Sequence, residues 1–143
     1  MTEFHAYAPG LHSGGQPSPD DLARLRDIGV GSVISLRAPA EDVGYDECEE
    51  ATRVGLAWHS LPITGDDDLM PATIERFGSL LDAARAHGND VLIHCASGNR
   101  VGALVALDAA RRGESSANAL ALGRAAGLVG LEPAVVARLE SNR

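Results

Sequence analysis

The sequence predicts an α/β fold in which a small, mostly parallel sheet is flanked by helices. Apolar stretches typical of strands alternate along the chain with amphipathic helical patterns. Aromatic residues make up only 3% of the chain, so leucine, valine, isoleucine and alanine must fill the core, as in helices packed on a buried sheet. The length of 143 residues is close to that of one ordinary domain. We therefore expect a single domain over residues 1–143.

The first half of the chain alternates strand and helix signals. The breakers at 14–17 (Gly-Gly-Gln-Pro) predict that the N-terminal segment is a short edge strand followed by a turn. Serine is a common helix cap and proline fits the first helical turn, so Ser18 and Pro19 predict the start of a helix. The β-branched stretch 30–36 predicts a strand buried on both faces, and the polar stretch 42–54 predicts a surface helix.

The second half continues the alternation. A short strand is predicted over 56–63, and Pro71 begins a long amphipathic helix that stops near Gly88. Residues 90–94 predict another short strand. Helices then complete the chain, beginning near Val101, Ser115 and Glu132. Strands that are separated by helices are joined by right-handed crossovers, so we expect a parallel sheet covered on both faces.

The charge and the cysteine content exclude several classes of protein. Twenty acidic residues against twelve basic ones leave a net charge of −8, which repels polyphosphate chains and anionic membranes. No apolar stretch reaches the roughly 18 residues that span a bilayer, and the start of the chain lacks the pattern of a secretory signal. We expect a cytoplasmic protein without nucleic-acid or membrane partners. The two cysteines, Cys48 and Cys95, are too few for a disulfide framework and are expected to be free thiols.

The strongest chemical signal is the loop that opens at Cys95 and closes at Arg100, between a strand and a helix. Its backbone N–H groups can converge on one anion, and the helix N-terminus adds positive potential at the same point. The same groups stabilise a thiolate, and Arg100 can hold two oxygens of a phosphoryl group. A phosphorylated substrate or another small anion would then be held by Arg100 and by the loop residues Ala96, Ser97, Gly98 and Asn99. The competing interpretation is a buried apolar cysteine followed by a turn.

A known family shares this loop. Residues 94–100 (His-Cys-Ala-Ser-Gly-Asn-Arg) resemble the His-Cys signature loop of cysteine-dependent protein phosphatases. Further segments are similar to a bacterial branch of dual-specificity-like phosphatases, also called the beta-lactamase-hydrolase-like phosphatase domain: 15–17, 34–37, 91–107 and 123–128. The resemblance covers nearly the whole chain. It implies a cysteine-phosphatase-like fold and cleavage of phosphate monoesters through a phosphocysteine intermediate on Cys95, without a metal or another cofactor.

The loop also departs from that pattern in two ways. Only four residues separate Cys95 from Arg100, one fewer than in phosphatase loops, and this spacing resembles that of rhodanese-type sulfurtransferases. Val101 stands where the phosphatase pattern usually has a hydroxyl residue that helps the thiolate leave, which implies slow turnover. Two alternatives therefore stay open. One is a rhodanese-like sulfurtransferase that carries a persulfide on Cys95, and the other is a noncatalytic anion-binding module.

Phosphoester cleavage by a thiolate also needs a general acid that protonates the leaving oxygen and later activates water. Asp66, Asp67 and Asp68 lie before the helix that begins at Pro71, where the resemblance implies the acid. Three adjacent carboxylates repel one another, which favours a raised pKa for one of them. We predict that Asp66 is the acid and leave Asp67 and Asp68 open. A solvated loop, or charges favoured at a helix N-terminus, would explain the same residues.

Three further side chains have two interpretations each. Arg37 ends a buried strand at the sheet edge where ligands gather, so it either binds substrate or pairs with Glu41 at the surface. His94 either tunes the neighbouring thiolate or is a core histidine. Cys48 either protects Cys95 as a resolving thiol or, as we favour, is inert. The other histidines show no metal-ligand spacing, so no metal site is expected.

Overall fold

The computed structural model describes residues 2–141 as a five-stranded sheet with helices packed on both faces. The strands are β1 Phe4–Ala8, β2 Leu11–Gly14, β3 Val30–Ser35, β4 Ala57–Ser60 and β5 Asp90–His94. The helices are α1 Pro19–Asp27, α2 Glu47–Arg53, α3 Pro71–Arg85, α4 Asn99–Arg111, α5 Ser116–Ala125 and α6 Glu132–Ser141. One turn of 3-10 helix, Asp66–Asp68, lies between β4 and α3.

The sheet is parallel except at one edge. Its strand order is β1-β2-β5-β3-β4, and only the outermost pair, β1 with β2, runs antiparallel. The predicted fold class, a mostly parallel sheet flanked by helices, is confirmed. Because β2, β5, β3 and β4 are parallel, their carboxyl ends meet at one edge, which is where ligands bind in sheets of this kind.

Two apolar clusters hold the layers together, one on each face of the sheet. On β3, Val33 packs in the cluster with Leu22 of α1, while the next residue, Ile34, packs in the larger cluster with Phe77 of α3. Successive strand residues point to opposite faces, so a strand covered on both sides must be apolar throughout. This explains the uninterrupted apolar stretch that marked β3 in the sequence.

Several elements begin where their local signals predict. The Ser18 hydroxyl accepts from the Asp21 amide, and the Asp21 carboxylate accepts from the Ser18 amide, so a complete capping box begins α1. Strand β5 has the predicted bounds, α3 begins at Pro71, and Ser115 caps α5. Among the helices described over residues 2–141, none is long and apolar enough to cross a bilayer.

The N-terminal segment differs from the prediction of one edge strand. It forms a hairpin, because Gly10 adopts a positive φ of 74° and reverses the chain between β1 and β2. Strand β1 therefore takes the edge, and β2 lies inside the sheet beside β5. The turn at residues 9–10 was missed because the breakers at 14–17 dominated the local pattern.

The prediction of a helix over 42–54 is also wrong about where that helix begins. Helix α2 begins at Glu47, capped by the Asp46 carboxylate, which accepts from the Glu49 amide at 3.0 Å. Upstream, the Asp42 carboxylate accepts from the amide of Gly44, whose positive φ of 81° is incompatible with a continuing helix. The helix is not wholly at the surface either, since Glu47 is buried.

Helices α4 and α5 approach closely at a pair of glycines. A β-carbon at Gly102 would overlap the Leu128 amide nitrogen and lie 2.6 Å from the Gly123 carbonyl oxygen, both of them backbone atoms. Neither neighbour can move without shifting its own chain segment. The contact therefore fixes how the end of α5 sits against the first turn of α4.

We predict that Gly102→Ala destabilises the protein by about 1 to 3 kcal/mol, because overpacking outweighs the roughly 1 kcal/mol by which alanine favours a helix. Urea denaturation monitored by circular dichroism measures the loss. Gly65→Ala is the matched control, since Gly65 has an extended φ of −179° and nothing lies within 4 Å of its β-carbon position. A Gly102→Ala protein as stable as the control would contradict the close approach of the two helices.

Candidate active site

The candidate site begins where β5 ends, and both neighbouring strands hold that end in place. The His94 carbonyl oxygen accepts from the Leu36 amide at 2.9 Å, next to the end of β3. On the other side, the Cys95 amide donates to the Gly14 carbonyl oxygen at 3.3 Å, at the end of β2. Cys95 is thereby held at the carboxyl edge of the sheet, and its side chain is fully buried.

The loop after Cys95 turns sharply into α4. Gly98 adopts a positive φ of 94°, a conformation that glycine takes without strain, and caps the helix that begins at Asn99. The Gly98 amide donates to the Cys95 sulfur at 3.0 Å, while its carbonyl oxygen accepts from the Gly102 amide at 2.9 Å. The sulfur therefore lies against the N-terminal turn of α4, where the helix dipole favours negative charge.

Two glycines from distant parts of the chain lie in close contact with the loop backbone. A β-carbon at Gly15 would lie 2.6 Å from the Ala96 carbonyl oxygen, and one at Gly127 would lie 2.8 Å from the Gly98 carbonyl oxygen. Gly127 also has a positive φ of 116°. Both glycines come from segments that the sequence analysis singled out, 15–17 and 123–128. Their contacts leave the loop backbone little space in which to move.

Arg100 is held by hydrogen bonds to two residues outside the loop. Its Nη1 donates to Glu41 Oε2 and to the Ile63 carbonyl oxygen, each at 2.8 Å, and its Nη2 donates to Glu41 Oε1 at 2.9 Å. The hydrogen bonds to Glu41, with a further contribution from Cys95, raise the pKa of Arg100 although burial opposes this. After these three bonds, Nε and one Nη2 hydrogen remain to bind an anion.

Glu41 is part of the site and was not identified as such from the sequence. Its hydrogen bonds with Arg100 lower its pKa to about 2, so it is ionised at any ordinary pH. Arg37 Nε lies 3.7 Å from Glu41 Oε1, and this nitrogen is buried without a hydrogen-bond partner among residues 2–141. The pairing of Arg37 with Glu41 is therefore observed. Because Glu41 also binds Arg100, this pairing places Arg37 next to the candidate site and not at an unrelated surface.

The acidic loop starts directly after Ile63, whose carbonyl oxygen binds Arg100. Its three carboxylates differ in their hydrogen bonds. Asp68 accepts from the Thr64 amide at 2.7 Å and from the Thr64 hydroxyl at 2.6 Å, and these bonds hold its pKa below the usual range. The raised pKa that was expected for one of the three carboxylates is therefore not that of Asp68, which braces the loop as a carboxylate. The side chains of Asp66 and Asp67 are exposed. Within the described part of the chain, no hydrogen bond joins the Asp66 carboxylate to Cys95.

Helix α6 supports this acidic loop. Arg138 Nη2 donates to the Asp66 carbonyl oxygen at 2.6 Å, and its Nε donates to the Leu69 carbonyl oxygen at 2.8 Å. The main chain of Asp66 is thus anchored while its carboxylate stays exposed. Nothing in the local sequence pattern indicates Arg138, since it lies 72 positions further along the chain.

The remaining loop residues divide into two groups. Ala96 and Ser97 are exposed beyond Cys95. The Asn99 side chain turns away, because its Oδ1 accepts from the Val129 amide at 2.9 Å and from the Leu131 amide at 3.2 Å. Asn99 therefore fixes the segment before α6 with its side-chain oxygen. Cys48 is a free, exposed thiol on α2.

A buried polar network lies beneath the loop. His94 Nε2 lies 2.6 Å from Glu47 Oε2, and the Glu47 carboxylate also accepts from Trp58 Nε1 at 2.8 Å and from Gln16 Nε2 at 2.7 Å. Burial raises the pKa of Glu47, but the hydrogen bonds and the charge of His94 outweigh it and leave that pKa below its usual range. The sequence contained no signal for this pairing, because Glu47 lies in a polar stretch.

Comparisons with known proteins identify the fold. The sequence matches no protein-family model and no curated protein. Among solved structures, a candidate phosphatase from Neisseria meningitidis Z2491 superposes with a TM-score of 0.78 at 23% identity, covering 96% of both chains. P. aeruginosa TpbA, in a complex with phosphotyrosine, superposes with a TM-score of 0.72 at 22% identity over 94% of this chain and 80% of that one.

A third structure, the kinase-associated phosphatase with its catalytic-site cysteine replaced by serine, superposes with a TM-score of 0.76 at 15% identity. The match covers 99% of this chain and 96% of that chain. Similarity at these identities establishes the fold. The cysteine-phosphatase-like fold that the sequence resemblance implied is confirmed.

The low pKa of Glu41 predicts a pH-dependent stability. Because the pKa falls from 4.5 to about 2 on folding, the stabilisation is complete above about pH 4.5 and is lost as the pH falls towards about 2. Urea denaturation of the native protein and of Glu41→Gln, repeated over a range of pH, measures this stabilisation. We expect the variant to be less stable by about 1 kcal/mol at neutral pH, with the difference shrinking below about pH 4.5.

Glu75→Gln is the control for this experiment, because Glu75 is an exposed carboxylate on α3. The free energy of unfolding of Glu75→Gln should stay close to that of the native protein over the same pH range. A Glu41→Gln difference that remained constant down to about pH 3 would show that the Arg100 pair does not contribute in the way the geometry indicates.

Proposed function

We propose that this chain is a cysteine-dependent phosphatase that cleaves phosphate monoesters through a phosphocysteine intermediate on Cys95. The observation that supports this most is the position of the Cys95 sulfur, 3.0 Å from the Gly98 amide at the N-terminus of α4, with Arg100 held by Glu41 and near enough to Cys95 for the thiol to affect the pKa of Arg100. A thiolate there is favoured by the helix and by the guanidinium, and the same groups suit the oxygens of a phosphoryl group.

In the proposed first step the Cys95 thiolate attacks phosphorus in line with the leaving oxygen. The sulfur–phosphorus bond forms as the ester bond breaks, and Asp66 transfers a proton to the leaving oxygen. The free edge of Arg100 and the backbone amides of the loop hold the phosphoryl oxygens, where charge builds up in the transition state. Arg37 provides a second cationic group for the substrate.

In the second step the Asp66 carboxylate takes a proton from water, which attacks the phosphocysteine. The sulfur–phosphorus bond breaks, phosphate leaves, and the thiolate is restored. No metal is needed, since the cations that neutralise the phosphate are side chains. Phosphotyrosine is bound in the TpbA structure, so aryl phosphates are the substrate class with which to begin.

The length of the loop supports a second candidate function. Four residues between Cys95 and Arg100 form a ring that suits a persulfide on Cys95, which would make the chain a rhodanese-like sulfurtransferase. A noncatalytic anion-binding module is the third candidate, because Val101 is fully buried and provides no hydroxyl to assist breakdown of a phosphocysteine.

We expect the native protein to release phosphate from an aryl phosphate, and Cys95→Ser to lower kcat by about 10³-fold or more. Arg100→Lys should lower kcat/KM by about 10²-fold, since lysine cannot hold two oxygens in one plane. Cys48→Ser is the matched control and should retain native activity, because Cys48 is exposed on another helix.

Other outcomes decide between the candidates. If the native protein releases no phosphate but forms thiocyanate from thiosulfate and cyanide in a Cys95-dependent reaction, the sulfurtransferase replaces the phosphatase. If it binds phosphate, measured by calorimetry, and catalyses neither reaction, it is a binding module.

The assignment of the acid has its own test, in which Asp66, Asp67 and Asp68 are replaced by asparagine one at a time. We expect Asp66→Asn to lower kcat by about 10²-fold and to flatten the loss of activity towards high pH, because the proton donor is gone. Asp67→Asn should have little effect. A larger loss in Asp67→Asn than in Asp66→Asn would reassign the acid to Asp67.

A further inference from the structure

We infer that Ser13 is a positioning residue that holds the end of α5 against the cysteine loop and so fixes the Gly98 amide on the Cys95 sulfur. The inference goes beyond the proposed function and rests on it only in taking Cys95 as the nucleophile. It assigns a role to a residue of strand β2 that no pattern in the sequence singled out.

The Ser13 hydroxyl is a buried polar group with a partner on α5. It donates to the Ala126 carbonyl oxygen, 113 positions further along the chain, and both residues are 0% exposed. Ala126 is the C-cap residue of α5, where the carbonyl groups of a helix lack an intrahelical amide donor. Because a buried carbonyl without a donor is costly, the hydroxyl joins β2 firmly to the end of α5.

The segment that Ser13 holds packs on one residue of the loop. At Gly98, the position of a β-carbon lies 3.5 Å from the Ala126 carbonyl oxygen, 3.8 Å from the Gly127 α-carbon and 3.8 Å from Ser13 Oγ. Conversely, a β-carbon at Gly127 would lie 3.0 Å from the Gly98 carbonyl carbon and 3.2 Å from its α-carbon. The hydroxyl, the Ala126 carbonyl and Gly127 therefore form one contact surface for Gly98.

Strand β2 can hold this surface in place because it is itself held on both sides, by β1 and by β5. Ser13 lies opposite Ile93 in the parallel register of β2 with β5. The next residue of the strand, Gly14, accepts from the Cys95 amide at 3.3 Å. One strand thus fixes the loop twice, directly at Cys95 and through the end of α5 at Gly98.

The hydroxyl acts on the nucleophile through the direction of one amide. The Gly98 amide donates to the sulfur at 3.0 Å, and glycine has no side chain with which to hold this orientation itself. Without the Ser13 hydroxyl, the Ala126 carbonyl turns towards another donor and Gly127 moves with it. The segment stays attached at its other end, where Asn99 binds two of its amides, so the loss loosens the loop without unfolding the protein.

The test measures hydrogen exchange of the Gly98 amide by nuclear magnetic resonance in the native protein and in Ser13→Ala. We expect this amide to exchange at least about fivefold faster in the variant, relative to the amides in the middle of β3 and β5. An unchanged rate would overturn the inference. So would a uniform rise in which Gly98 gains no more than the sheet amides, because that is the effect of a lower global stability alone.

Ser32→Ala is the matched control, because it makes the same substitution at a serine of β3 that is 3% exposed. Ser32 lies opposite Val91, which precedes Cys95 by four residues, so it is remote from the loop. The exchange of Gly98 relative to the sheet amides should stay at the native value. An equal rise in both variants would show that the loop responds to the loss of any buried serine of the sheet, against the inference.

A second measurement uses the native protein and needs no variant to fold. The Gly127 amide donates to the Arg124 carbonyl oxygen at 3.1 Å, so its exchange reports whether the end of α5 is in place. In low concentrations of urea we expect the Gly98 and Gly127 amides to become exposed in one shared opening, with the same dependence on urea. Opening of Gly98 while Gly127 stays protected would contradict the role of this segment.

Binding of inorganic phosphate, measured by calorimetry, connects this role to the proposed function. We expect Ser13→Ala to bind phosphate about fivefold more weakly than the native protein, because a loosened loop must be ordered around the ligand, and Ser32→Ala to bind it equally well. Equal affinity in Ser13→Ala would count against the inference. A native protein that binds no phosphate would count against the proposed function instead, and the exchange rates, which need no ligand, would still decide the role of Ser13.

Discussion

The confinement of the loop from Cys95 to Arg100 is the constraint on which the site depends. Gly15 approaches the backbone at Ala96, and Gly127 approaches the backbone at Gly98, at distances that exclude a β-carbon. A loop confined in this way keeps the Gly98 amide directed at the Cys95 sulfur without the entropic loss of ordering it anew. The two glycines therefore link the N-terminal turn and the end of α5 to the chemistry.

A second organising feature is the division of charge around the sulfur. Arg100 is held by Glu41, and Arg37 lies next to the same carboxylate, so two guanidinium groups share one anion. This leaves net positive charge for a ligand in a protein whose overall charge is −8. His94, which precedes Cys95 in the chain, forms a buried pair with Glu47. The acidic loop follows Ile63, whose carbonyl oxygen binds Arg100, and it is braced internally by Asp68 and from α6 by Arg138.

Local signals accounted for much of the fold and for the loop itself. The helix cap at Ser18 and the strand Asp90–His94 were predicted because a cap and a short apolar stretch are both local features of a few residues. The helix predicted over 42–54 was wrong at its start, because helical composition does not reveal the turn at Asp42–Gly44 that prevents it. The hairpin was missed for a similar reason, since a single glycine decides it.

By itself, the sequence determined the order of strands and helices from α1 onward and the contiguous residues from Cys95 to Arg100, since spacing along the chain governs both. Tertiary structure alone decided which groups meet that loop. Glu41 reaches Arg100 across 59 positions, and Glu47 reaches His94 across 47. Such contacts depend on which strands pair and on how the intervening loops close, and one local pattern is compatible with many such closures. The sheet order, which places β2 and β3 on either side of β5, selects among them.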